Sequence, residues 1–190
     1  MPRFFSSDHI GDTLLAAFKG VMISPPEYFS AMPQAHAYRN SLTLLLIYLS
    51  IPALMAGMLT GVVTLVFILP LSLLFGLIGT WFWAAYLGWA ARRFCASELS
   101  TEDAFQICAY SSAPLVFSWI PIIGLLAWLS NIYLNWQGLV SHARIGAGAA
   151  LLIILGAYFM MFLSLIALAA LMFYTNVSYD LIPLETSTWF

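Results

Sequence analysis

The sequence predicts an all-α membrane protein: a polytopic bundle of five transmembrane helices with an N-terminal amphipathic helix in the interface. Three observations predict it. The 190 residues are 63% hydrophobic and 7% charged, with mean hydropathy +0.95, whereas a soluble domain carries about 25% charged residues. So few polar side chains cannot cover a surface facing water. Apolar runs suited to crossing a bilayer recur at 41–60, 62–90, 102–120, 122–141 and 147–173. The six basic residues fall on one side of the alternation those runs impose. The net charge of −2 says less than where the charges lie.

The first segment, 1–38, is read as cytoplasmic and amphipathic. Ile10, Leu14, Leu15, Phe18, Val21 and Met22 recur at helical spacing, and Asp8 is a candidate cap. Asp12 and Lys19 lie on the other side. Pro25-Pro26 stops this helix, and Pro26-Glu-Tyr-Phe starts a second turn. Tyr28 and Phe29 are expected at headgroup level; an amphipathic helix that binds a partner is the alternative. Only Arg3 is basic ahead of Lys19, and no apolar core follows it before Pro25, so a cleaved signal peptide is not expected.

Residues 39–174 are read as one transmembrane domain and 175–190 as a short outer tail. The second run, roughly 29 residues, would reach about 43 Å, so it must tilt, kink at Pro70 or project past the bilayer. Arg3, Lys19 and Arg39 precede the first run, Arg92 and Arg93 follow the second, and Arg144 follows the fourth. This is the positive-inside pattern. It predicts a cytoplasmic N-terminus and an outer C-terminus.

Small residues let lipid-embedded helices approach. Ala53, Gly57 and Gly61 form one such face and Gly76, Thr80, Ala84 and Gly88 another. Packing of these faces within the chain is the expectation, and a homodimer seam is the alternative. Trp119, Trp136, Phe173 and Tyr174 suit interface anchoring. Trp81, Trp83 and Trp128 are expected between helices.

The prolines mark a candidate site. Tyr48-Leu-Ser50-Ile-Pro52 and Tyr110-Ser111-Ser112-Ala-Pro114 share a Y-x-S-x-P pattern. Each proline removes the hydrogen bond to the tyrosine carbonyl four residues earlier, and in lipid that carbonyl needs another partner. Ser50 and Ser112 are candidates. Asn131 and Asn135 lie one turn apart on the next run, and counting outward from Pro121 pairs Ser111 with Asn131 and Ile107 with Asn135. A hydrogen-bonded polar seam is expected there. It either holds helices together or forms a small groove for a ligand or lipid headgroup.

A second candidate is a charged cytoplasmic surface of Arg92, Arg93, Glu98, Glu102, Asp103, His142 and Arg144. Ser100-Thr-Glu-Asp103 has the capping-box shape, and Arg92 and Arg93 can pair with the nearby acids. Ionisable residues are missing from the drawn spans apart from the first turn of the third, which argues against a proton pathway or intramembrane acid–base chemistry. His9, His36 and His142 are scattered. No nucleophile–base pair, phosphate loop or metal cluster occurs, so no enzyme activity, cofactor or nucleic-acid partner is expected. Cys95 and Cys108 show no paired spacing, and a disulfide is not expected. Cys95 follows Arg92-Arg93-Phe94 at a membrane edge, where acylation is one chemistry open to it. The tail ends in Trp189-Phe190 and is expected to settle at the outer interface.

Several short motifs, in this order and spacing, resemble those of one family. They are SPPEYF before the first run, RRF at 92–94, AYSSAPL leading to IPIIG, and GLVSHAR closing the fourth run. Over roughly residues 10–172 the chain resembles Yip-domain proteins, the Ypt/Rab-interacting five-span membrane family and its bacterial relatives. The resemblance implies five helices, a cytoplasmic N-terminus and no catalysis. Eukaryotic members bind small GTPases and one another in vesicle traffic. Their long N-terminal region has no counterpart here, Ser24-Pro-Pro-Glu-Tyr28 standing where a similar element belongs, so the resemblance does not carry GTPase binding across. The short ends resemble a bacterial inner-membrane member. The functional expectation is a non-enzymatic scaffold that recruits membrane proteins or copies of itself within the lipid bilayer. The alternative is a small transporter, channel or lipid-handling protein using the polar groove.

Overall fold

The computed structural model describes residues 4–6, 10–34 and 38–180, with side chains described except at 62–64 and 175–180. The expectations for Arg3, Asp8, His9, His36 and the Trp189-Phe190 end lie outside the described residues. The chain divides into two compact units, Met1–Ile154 and Leu155–Phe190.

The described residues are helical throughout their regular structure. Helices α1 (Ile10–Ile23) and α2 (Pro25–Ser30) precede α3 (Arg39–Thr60) and α4 (Val62–Cys95). Then come α5 (Thr101–Ser111), a 3-10 helix (Ala113–Phe117), α6 (Pro121–Ser141) and α7 (Ala147–Asp180). Pro25 stands in the first turn of α2 and Pro121 in that of α6, where a missing N–H costs no helical bond.

Among the described residues, three helices are long and apolar enough to cross a membrane: Arg39–Thr60, Leu65–Cys95 and Ala147–Tyr174. The expected third span is not one helix. The 11-residue α5 covers only about 16 Å at 1.5 Å per residue, and a five-residue 3-10 helix follows it. Pro114 brings no N–H to continue the α-helical ladder, and here the backbone tightens into the 3-10 helix from Ala113. Helix α6 has 21 residues, but Asn131, Asn135 and Gln137 reduce its apolarity. Helix α7 continues to Asp180, past the expected end at 173.

In the first unit, α4 packs against both α3 and α5, while α6 packs against α5, the 3-10 helix and α2. The small residues explain how. Gly76 lies under Leu49 of α3, where a Cβ would come 2.7 Å from Leu49 Cδ1. Gly88 lies under α5, with its Cβ position 3.7 Å from that of Ala104. Ala53 and Ala84 are buried, and the Thr80 hydroxyl bonds its own helix at the Gly76 carbonyl, 2.8 Å away. Gly57 faces Leu65 across the α3–α4 turn. Gly61 differs from the expectation. Its Cβ position faces open space and its φ is +106°, so it serves the turn and not the packing. Trp81 and Trp128 are 48% and 43% exposed, not sealed between helices, which suits lipid contact along these faces. Tyr86 Oη donates to the Ile153 carbonyl at 3.1 Å, tying α4 to the start of α7. In the second unit, residues 155–174 form apolar helix, and most of their side chains are exposed.

Candidate functional site

The polar seam is built from the end of α5. There the Ser112 N–H and its hydroxyl both go to the Cys108 carbonyl, at 3.1 and 2.9 Å. The Leu115 N–H turns to the Ser112 carbonyl at 3.0 Å as the 3-10 helix starts. Asn131 Nδ2 of α6 donates to the Ser111 carbonyl at 2.8 Å. Asn135 Nδ2 donates back to the Asn131 carbonyl at 2.9 Å and to its Oδ1 at 3.3 Å. The register places Ser111 beside Asn131, but the carbonyl that Asn131 takes is Ser111's at a helix end, not the proline-freed one of Tyr110. Ser50 likewise bonds the Ile47 carbonyl at 2.9 Å, not that of Tyr48. A serine reaches back three or four residues along its own helix more readily than it reaches forward. Pro52 remains inside α3, whereas Pro114 opens the 3-10 helix.

Helices α1 and α2 cover this seam. Tyr28 and Phe29, expected at headgroup level, are 1% and 0% exposed. The two-proline start leaves α2 only six residues long, and the aromatic pair turns inward against α6. Gly20 of α1 receives the Tyr28 ring, since a Cβ there would overlap the Cδ2 and Cε2 edge. The rings of Tyr28 and Tyr110 stand 5.6 Å apart, and Phe18 bridges Tyr48 and Phe117 at 6.4 and 6.2 Å. Tyr110 Oη accepts the Phe5 N–H at 3.0 Å. Burial, then the neighbouring Tyr110, pushes the Tyr28 hydroxyl pKa well above its ordinary value. Tyr48 Oη, Gln106 Oε1, Ser111 Oγ and Asn135 Oδ1 are buried without a hydrogen-bond partner among the described residues. Sequence reasoning missed Phe5, Gly20 and Gln106; the spacing of a glycine from a tyrosine eight residues later was the signal available for Gly20.

The charged candidates gather at the opposite ends of α5 and α6 from their hairpin. Helix α4 ends with Ala96 at φ 49° and the Ser97 N–H reaching the Ala91 carbonyl at 3.3 Å. Helix α6 ends alike, with Arg144 at φ 54° and the Ile145 N–H reaching the Leu139 carbonyl at 3.2 Å. In both, the closing N–H reaches a carbonyl six residues back, around a left-handed position that glycine commonly takes at helix ends; here alanine and arginine occupy it. Ser97 Oγ donates to the Ala143 carbonyl at 3.4 Å, tying the two loops together. Between them lies a groove of about 770 Å³ whose lining includes Glu98, Asp103, His142 and Arg144.

Asp103 is a correction to the surface reading. It is 8% exposed. Its N–H donates to Ser100 Oγ at 3.0 Å, and its Oδ2 accepts the Ser100 hydroxyl at 2.7 Å. The cap draws it inward until Oδ1 stands 3.6 Å from His142 Nε2. Arg92, Arg93 and Glu102 are not part of the lining. Arg92 Nη1 donates to the Leu99 carbonyl at 2.8 Å, Arg93 is exposed, and Glu102 faces Tyr38, whose hydroxyl pKa is raised by burial first and that carboxylate second. Cys95 and Cys108 are free thiols. Among the described residues no group of three or more His, Cys, Asp or Glu could hold a metal ion.

The Yip1 domain profile matches residues 19–169. The chain belongs to the Yip1 domain family. No curated protein and no solved structure matches it. The Yip1 domain begins inside α1 and ends inside α7. Seam and groove both lie within it, while Phe5, which reaches Tyr110, precedes it. This is a membrane protein of that family, and its apolar helices meet the bilayer.

Proposed function

We propose that this Yip1 family protein is a non-enzymatic scaffold that recruits other membrane proteins at its arginine-bearing end. In this reading that end faces the cytoplasm, and the outer tail lies across the membrane. The chain crosses five times, α5 with its 3-10 helix and α6 completing a hairpin in which the Asn131 amide serves the Ser111 carbonyl. The observation that carries the reading is one preformed face. Two loops closed by the same motif and tied through Ser97 present exposed Arg92, Arg93, Phe94 and Arg144 around a groove. A rigid surface loses little entropy on docking. The alternative, passage of a solute along the seam, has less support, because the Asn131 and Asn135 amide N–H donors are already engaged by protein.

A photo-crosslinking residue at Arg93 or Phe94, activated in intact membranes, tests this. A discrete adduct is expected there and not from Phe75, which is 64% exposed on the apolar part of α4. Identical smears from both places would sink the docking reading. Membrane-impermeant labelling of a cysteine at position 93 from the cytoplasmic side alone is the expected orientation result, and labelling from the outer side alone reverses it.

A further inference from the structure

The groove has oppositely charged walls. Glu98 of the α4–α5 loop and Arg144 of the α6–α7 loop both line it, together with Asp103 and His142, which stand 3.6 Å apart. Asp103 and His142 are nearly enclosed, their side chains 12% and 9% exposed, so the floor is polar yet shielded. Glu98 and Arg144 are exposed. The rim therefore offers one carboxylate and one guanidinium facing a common space.

Three features fix the level of this space. Trp89 and Phe94 are 52% and 69% exposed at the end of α4, as aromatic residues at a membrane surface are. Arg92 and Arg93 occupy the last turn of the same helix. The lining adds Met32, Phe94 and Ile145 to the polar groups, giving the site an apolar margin. This composition suits the depth of lipid headgroups.

We propose that the groove is a seat for a phosphoethanolamine group. The Arg144 guanidinium takes the phosphate through its planar fork of donors, and the Glu98 carboxylate takes the primary ammonium. The walls require both charges in one ligand. An anionic headgroup without an amine leaves Glu98 and Asp103 repelling it, and a quaternary ammonium has no N–H for Glu98 to accept. The left-handed backbone of Arg144 fits this role. A non-glycine residue held there is strained, and strain of this kind clusters at ligand clamps. The groove's volume is within the range of small-molecule sites. The seat depends on this end lying at a membrane surface and is independent of any protein partner; Arg92 and Arg93 stand outside its lining and remain for docking, while Phe94 borders both.

The test is the melting of the full chain in detergent micelles with added dioleoyl phosphatidylethanolamine, phosphatidylglycerol or phosphatidylcholine, and separately with soluble O-phosphoethanolamine. The ethanolamine lipid is expected to raise the midpoint by about 2–4 °C, at least twice the rise given by the other two lipids. Glu98→Gln and Arg144→Gly should each abolish the difference. Arg144→Gly suits this purpose because glycine favours the left-handed backbone, so its lost response is not lost folding. A response to soluble O-phosphoethanolamine equal to that of the lipid upholds the seat and assigns its occupant to a soluble source; a response to the lipid alone assigns it to the bilayer. Equal shifts from all three lipids, or an ethanolamine response surviving in both variants, overturn the proposal. Failure of the Arg93 and Phe94 crosslinks with this response intact would indict the docking reading alone.

Discussion

Asn131 Nδ2 donates to the Ser111 carbonyl across 2.8 Å, so a side chain of α6 caps the backbone of α5 inside the bundle. A helix end leaves carbonyls without intrahelical donors, and in a bilayer water cannot serve them. The bond therefore substitutes for a solvent cap and fixes the register of the hairpin.

Replacing Asn131 by leucine should destabilise the fold by about 0.6–1.7 kcal/mol, the range of interhelical hydrogen bonds in membranes. Asn135→Leu should cost less. It removes a donor to Asn131 but also a buried Oδ1 that has no partner among the described residues, and relieving such an atom offsets part of the loss. Unfolding midpoints in mixed detergent micelles measure both. A cost at Asn135 equal to or above that at Asn131 would show that Oδ1 is engaged, and would return the seam to the list of ligand sites.

Gly138 brings α6 onto Ile107 of α5, since a Cβ at Gly138 would overlap Ile107 Cγ2. Gly138→Ala should cost about 1–3 kcal/mol by overpacking. Adding Ile107→Ala should recover part of this, because the clash and its partner are removed together. The double-mutant cycle reads the coupling. Additive losses would mean that the two helices separate without strain.

Much of this could be read from the chain before any coordinates. The membrane class followed from composition, and the Ser111–Asn131 level followed from counting outward from Pro121, because a tight hairpin leaves little freedom of register. The capping of α5 by Ser100 was legible because a cap is a local event. The failures are non-local. Whether Pro114 kinks a helix or starts a new one depends on where α5 stops, and the Asn131 cap that serves this end comes from another helix. Tyr28 looks like an interface aromatic by composition, and only the close approach allowed by Gly20 reveals it as buried. Glu98 and Arg144 are 46 positions apart by number, and their shared groove depends on two loop closures in which alanine and arginine stand where a motif search would look for glycine.

Those closures make a prediction about stability. Ala96 at φ 49° and Arg144 at φ 54° carry the steric cost of a Cβ in the left-handed region, about 1–2 kcal/mol each. Glycine removes that cost and gives back part of it through the freer unfolded chain. Ala96→Gly and Arg144→Gly should therefore each stabilise by about 0.5–1 kcal/mol, additively, since the two turns close different helices. Thermal unfolding without added lipid measures this. Destabilisation by either change would mean that the residue contributes contacts worth more than its strain.

The buried Tyr28 hydroxyl predicts an alkaline limit to stability. Burial, with Tyr110 as its nearest electrostatic neighbour, raises its pKa above the ordinary 10.0. The folded chain then keeps a proton that the unfolded chain releases. Below pH 10 both states hold it, and the contribution is constant. As the pH rises past 10, the unfolded state binds fewer protons, so stability falls by about 1.4 kcal/mol per pH unit for this one group. Tyr28→Phe keeps the ring against Gly20 and removes the ionisation. It should leave stability near pH 7 unchanged or slightly higher, since the Tyr28 hydroxyl is buried without a hydrogen-bond partner among the described residues and removing such a group relieves its desolvation. It should also flatten the alkaline decline by about one proton. Unfolding midpoints of both proteins between pH 8 and pH 11.5 decide it, and parallel curves would show that the folded chain lets Tyr28 ionise freely.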